Sequence, residues 1–217
     1  MLDINTAITK IRKFHDTAVA GENTRYRSWV HCFNAFRTLR HDKNNVDLLC
    51  LHLAWYMASW GMLRGRSFLL QMDYLVHKPL VQIILSGKYD FLFDDAHCAH
   101  MIPLTIELSD DIHKAYDKRS ISCTFVTKII LGVFGIAPAY DRYFRRGAQK
   151  YSICSTTFNK KSLQALWSFY EQHFIALEAL RKELTIEGIN YTPMKLIDMC
   201  LFQIGVDDEK ERKHENP

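Results

Sequence analysis

Apolar residues recur at helical spacing along most of the chain, and almost nowhere at the two-residue spacing of a half-buried strand. Ile4, Ile8, Ile11, Phe14 and Val19 form one stripe, which predicts an amphipathic helix over residues 3–20. Gly21-Glu22-Asn23-Thr24 breaks it. Trp29, Cys32, Phe33 and Phe36 give the inner face of a second helix over 27–39. After a loop at 41–45, the run 46–63 is apolar nearly all round, which predicts a helix buried on every side. Its apolar part is shorter than the ~20 residues a membrane span needs. It also carries His52 and Ser59, so no membrane span is expected.

A further helix is expected from Phe68 toward Leu85, started or kinked at Pro79. Residues 87–100 are the longest polar, irregular stretch and the best lid candidate. Helices are expected over 101–117, 121–134 and 138–148, with a short extended run at 151–154. The longest periodic segment, 159–184, runs through Leu163, Leu166, Trp167, Tyr170, Phe174, Leu177 and Leu180. Thr192 and Pro193 stand as N-cap and first residue of a last helix through Phe202. The charged tail 207–217 is expected to fray. The pattern predicts an all-α fold. It is a single domain over 1–217, with two helical lobes near 1–100 and 101–206 and a cleft between them.

Composition narrows the class. With 48% hydrophobic residues the chain can fill a core, and 9 Gly and 5 Pro favour long helices over many tight turns. A net charge of +4 permits nucleic acid as a partner without requiring it. The six cysteines show no C-x-x-C pair, and residues 1–5 do not read as a secretory leader. Reduced, mostly buried thiols in a cytoplasmic protein are expected. His97-Cys98-Ala99-His100 has metal-ligand residue types but no second pair at finger-like spacing, so no metal is expected.

One stretch carries candidate chemistry. From Thr127 to Asp141 the sequence reads as a helix, a glycine stop, a short turn, a proline start and an acid in the next first turn. Gly135 stands where a helix end wants positive φ. Pro138 suits a first helical position, and Asp141 then lies near that helix's positive end. Lys128 and Asp141 are thereby brought toward one wall.

Over about residues 119–147 this segment resembles the catalytic part of the helix-hairpin-helix DNA glycosylase superfamily. Thr127-Lys128 matches the hairpin lysine, and Pro138-Ala139-Tyr140-Asp141 matches the segment carrying the catalytic aspartate. Two features depart from the family. Arg119–Thr124 has no glycine where the family grips a DNA phosphate with a glycine-rich turn, and the Lys-to-Asp interval is shorter. The resemblance implies an enzyme that hydrolyses the N-glycosidic bond of a modified or damaged base in double-stranded DNA. It implies Asp141 as the catalytic carboxylate and, less directly, Lys128 as a second catalytic group. The settings it implies are DNA repair, or antiviral defence against a modified phage base. No cofactor is implied, since the family's C-terminal four-cysteine pattern is missing.

Such chemistry builds positive charge on the sugar, which a nearby carboxylate stabilises. A desolvated lysine can instead attack the sugar carbon. Arg142, Arg145, Arg146 and Lys150 can share a helical face and suit phosphate contacts. A flipped base needs aromatic walls and polar readers. Tyr26, Trp29, Trp60 and Arg64 are the candidates, because polar residues accompany them. Lys195 and Asp198 read as surface residues or a local pair. Two rivals remain: a non-enzymatic helical nucleic-acid-binding protein, and an all-α RNA-acting toxin or effector using the Arg and His residues of 25–41. The discriminating observation is whether Lys128 and Asp141 face one cleft with Arg142, Arg145 and Arg146 at its rim.

Overall fold

A computed structural model describes residues 2–94, 98–116 and 120–215. Among them ten α-helices carry the fold, beside one two-stranded hairpin. Helix α1 (Ile4–Val19) starts where Asp3 accepts the Thr6 N–H, and it buries Ala7, Ile11, Phe14 and Ala18. Helix α2 (Ser28–Leu39) follows close to its expected bounds, whereas α3 (Val46–Ser59) ends short of residue 63 and is not buried on every side, since Leu48, Leu51 and Trp55 are exposed.

The next stretch differs from expectation. Residues 68–85 do not form one helix. Two 3-10 turns, Phe68–Gln71 and Tyr74–His77, precede α4 (Lys78–Ile84). Ser67 and Asp73 cap the two turns through their side chains, offering the backbone a local alternative to the helix. Within the described part of the lid candidate, Tyr89, Leu92 and Phe93 are core residues, which ties this stretch down.

Helices α5 (Ile102–Ala115), α6 (Cys123–Val133), α7 (Arg142–Tyr151), α8 (Lys160–Gln172) and α9 (Phe174–Glu183) complete the middle of the chain. The long periodic segment thus breaks once, at His173. The run at 151–154 is not a strand: Tyr151 ends α7, and Ser152 caps it in the left-handed region. Strands β1 (Thr185–Ile186) and β2 (Ile189–Asn190) pair antiparallel and lead into α10 (Pro193–Glu215).

Helix α10 corrects the expectation of a frayed tail. It continues through the charged residues because they are paired. Asp207 takes Lys10 at 2.7 Å and Lys13 at 2.8 Å from α1, and Glu209 takes Arg146 at 3.0 Å from α7. Residues 216 and 217 lie outside the described residues. Helices α7 and α10 touch backbone to backbone. A Cβ on Gly147 would stand 2.0 Å from the Leu201 carbonyl oxygen, and one on Gly205 would stand 2.0 Å from that of Tyr143. Helix α10 also packs on α1, while α6 packs on α2 and α3. The two halves of the chain therefore share one contiguous core, which includes Phe14, Phe36, Tyr56, Phe134 and Phe144.

Candidate active site

Helix α6 starts at Ser122, whose hydroxyl accepts the Phe125 N–H. It ends at Gly135, where φ is +68°, as the glycine stop predicted. Its amide donates back to the carbonyls of Ile130 and Leu131. Residues 135–140 are then all buried and none is helical. This corrects the expected helix start at Pro138.

Buried backbone outside a helix needs other partners. Here side chains supply them. Thr192 donates its hydroxyl to the Gly135 carbonyl at 2.6 Å, and Asp198 Oδ1 accepts the Ala139 N–H at 3.1 Å. Thr127 Oγ1 accepts the Tyr140 N–H at 2.9 Å, and Thr124 donates to the Tyr140 carbonyl at 2.9 Å.

The loop delivers Asp141 as the N-cap of α7 rather than into its first turn. Its Oδ1 accepts the N–H groups of Tyr143 and Phe144, both at 3.0 Å. Its Oδ2 accepts from Lys128 Nζ at 3.3 Å. The Lys128 side chain is 4% exposed and that of Asp141 is 15% exposed. Burial pulls the Lys128 pKa below its ordinary value, partly opposed by the negative charges of Asp141 and Asp198.

Lys128 and Asp141 line a cleft of about 700 Å³. Trp60, Met62, Tyr143 and Phe202 give it apolar surface, and Ser122 and Thr124 give it hydroxyls. Arg25, Arg64, Arg142, Arg145 and Arg146 bring guanidinium groups, against Asp141 as the one acid among the lining residues. The lysine, the aspartate and three of the four cations from the segment after Asp141 therefore meet at one opening.

The basic face of α7 is not free, however. Arg142 pairs with Glu209 at 3.3 Å, Arg146 with Glu209 at 3.0 Å, and Lys150 with Asp208 at 3.2 Å and Glu211 at 3.0 Å. Lys150 also lies outside the cleft lining. Arg145 makes no ion pair among the described residues, and its buried Nε has no hydrogen-bond partner.

The four base-pocket candidates separate. Trp60 and Arg64 line the cleft. The Trp60 ring has the Arg25 guanidinium 5.3 Å and the Lys128 ammonium 5.0 Å from its centre. Tyr26 is not among the cleft-lining residues and packs edge-on against Phe14 and Trp60. Trp29 is a core residue, which corrects its placement in a pocket. It is 1% exposed, stacks on Phe33 at 4.8 Å, and donates its indole N–H to the Leu131 carbonyl at 2.9 Å.

Lys195 and Asp198 form the local pair expected of them, but it is buried rather than on the surface, and it lies beside the site. They form an ion pair of 2.9 Å, with side chains 3% and 7% exposed. A sequence signal for this existed: Met194, Leu196, Ile197, Met199, Cys200, Leu201 and Phe202 surround them, leaving the helix no solvent face. The cations of 25–41 gather at no site of their own. Arg27 and His31 meet Glu187, Arg37 donates to the Phe93 carbonyl, and Arg40 faces Asp90. His97 of the metal-like cluster lies outside the described residues. Among those described, no three potential ligands converge as a metal site would require. Nor is any described helix long and apolar enough to cross a membrane. Compared with known proteins, the chain matches no family model, no curated protein and no solved structure.

Proposed function

We propose that the chain is a DNA glycosylase-like enzyme with the two-lobed, cleft-bearing architecture of the helix-hairpin-helix superfamily. It hydrolyses the N-glycosidic bond of a modified or damaged base in double-stranded DNA. The observation that carries this reading is the Lys128–Asp141 pair set in the wall of a cationic cleft. Defence against a modified phage base and a cytoplasmic setting belong to the same proposal.

In the reaction, the bond between the sugar carbon and the base nitrogen breaks, and its electron pair leaves with the base. Positive charge develops on the sugar, and Asp141 stabilises it. The incoming water adds to the sugar carbon and gives up a proton, while the departing base gains one. Asp141 suits this work because the α7 amides hold Oδ1, so that Oδ2 keeps a fixed position. Lys128 holds Oδ2 from one side. The modified base would be held against Trp60, with Arg64 reading a polar edge. Of the α7 cations, Arg145, which has no ion pair among the described residues, is the one left to take a phosphate.

Because Lys128 is committed to Asp141, the enzyme leaves an abasic site without forming a Schiff base. The test is incubation with a panel of DNAs that carry different modified bases, with mass spectrometry for free base and borohydride to trap a covalent intermediate. Release of a base without a trapped adduct is expected. Failure to release any base overturns the assignment, and an adduct lost in Lys128→Ala overturns the monofunctional mechanism.

A further inference from the structure

A second, narrow cavity of about 10 Å³ lies behind the cleft. Both Lys–Asp pairs line it, together with Tyr56 and Trp60. One water needs roughly 10–15 Å³ of such space and two to four polar partners. Each buried ammonium has three N–H donors but, among the described residues, one carboxylate partner, at 3.3 Å for Lys128 and 2.9 Å for Lys195. The indole N–H of Trp60 is also buried and has no partner among the described residues. Buried donors of this kind are nearly always satisfied, by protein or by ordered water.

We propose that Lys195 and Asp198 are positioning residues for Asp141, acting through the Ala139 amide and through one ordered water held between the two Lys–Asp pairs. The inference rests on Asp141 being the working carboxylate. The loop before Asp141 is fastened to α10 at both ends. Thr192 holds the Gly135 carbonyl, and Asp198 holds the Ala139 N–H two residues before Asp141. Thr192 also accepts the Lys195 amide at 3.2 Å, so the first turn of α10 fixes the loop, the lysine and the aspartate together. A shift of this turn would move Oδ2 of Asp141. The water accepts from the ammonium groups and donates to the carboxylates, so each pair senses the other without direct contact. The charges balance, two positive against two negative, which a buried site requires.

The test uses the full chain in two ways. A crystal structure of the wild-type protein, fine enough to show waters, is expected to hold one in this cavity within hydrogen-bond reach of both pairs. An empty cavity overturns the proposal. The double variant Lys195→Met/Asp198→Asn keeps the volume and an acceptor for the Ala139 N–H, but removes both charges. It is expected to fold, to bind DNA with unchanged Kd, and to lose at least about tenfold in kcat for base release, as outer-shell changes typically do. Unchanged kcat in the folded variant overturns the positioning role. If the double variant does not fold, the wild-type cavity decides alone. A wild-type protein that releases no base from any DNA fails the enzyme assignment, whereas the water is still read from the structure.

Discussion

The two buried Lys–Asp pairs use the same residue types and differ in access. Lys128 and Asp141 are 13 residues apart and meet because a fastened loop turns α6 into α7. Lys195 and Asp198 are one helical turn apart and meet by helix geometry alone. Asp141 keeps 15% of its side chain exposed and lines the 700 Å³ cleft, whereas Asp198 keeps 7% and lines the inner cavity. Their backbone partners differ as well. Asp141 caps the helix that follows it, and Asp198 caps nothing but secures an amide of the loop. A buried ion pair is weak evidence for stability, since desolvation offsets much of the attraction. The open side lets a ligand reach Asp141, whereas Asp198 is sealed and bonds the loop that carries Asp141.

The sharpest break in this comparison is Asp198→Ala. It leaves the Lys195 ammonium and the Ala139 N–H buried without their partner, and should cost about 3–5 kcal/mol in chemical denaturation. A loss below ~1 kcal/mol would mean that the inner pair fastens nothing. Lys128→Met should cost less, about 1–2 kcal/mol, because Asp141 keeps two backbone donors and a face toward the cleft. A larger loss than for Asp198→Ala would reverse the ranking of the two pairs. The smallest expected effect concerns the α7 cations. Arg145→Gln should lower the salt slope of DNA binding by about 1, while Arg146→Gln, whose charge is spent on Glu209, should leave it unchanged. Equal effects would show that the acids of α10 do not withhold Arg146 from DNA.

Helix existence and the glycine stop were legible because they rest on local rules. The stripes of α1 and α2 follow from spacing, and Gly135 follows from the need for positive φ. The start of α7 was not legible. Pro138 is a good first helical residue, but the side chains of Thr124, Thr127 and Asp198 satisfy the extended backbone instead, and Asp198 is 59 residues from its partner Ala139. The tail misled for the same reason: its acids look solvated until the bases of α1 and α7 are brought to them. Trp29 sits among polar neighbours in sequence, yet its N–H finds the Leu131 carbonyl 102 residues away. At the candidate site, Lys128 and Asp141 were marked by punctuation around them. Lys195 and Asp198 stood just after the Thr192-Pro193 helix start, but only the apolar residues on all sides of them hinted at burial.

The proposed role of the Asp141 carboxylate in base release is decided by single-turnover release of free base from one responsive modified DNA, comparing wild type with Asp141→Asn. Asparagine keeps an oxygen for the Tyr143 and Phe144 amides and removes the charge. Release should fall by at least ~100-fold, while DNA affinity persists or rises as a negative charge leaves the cationic cleft. Full release by Asp141→Asn would contradict the account.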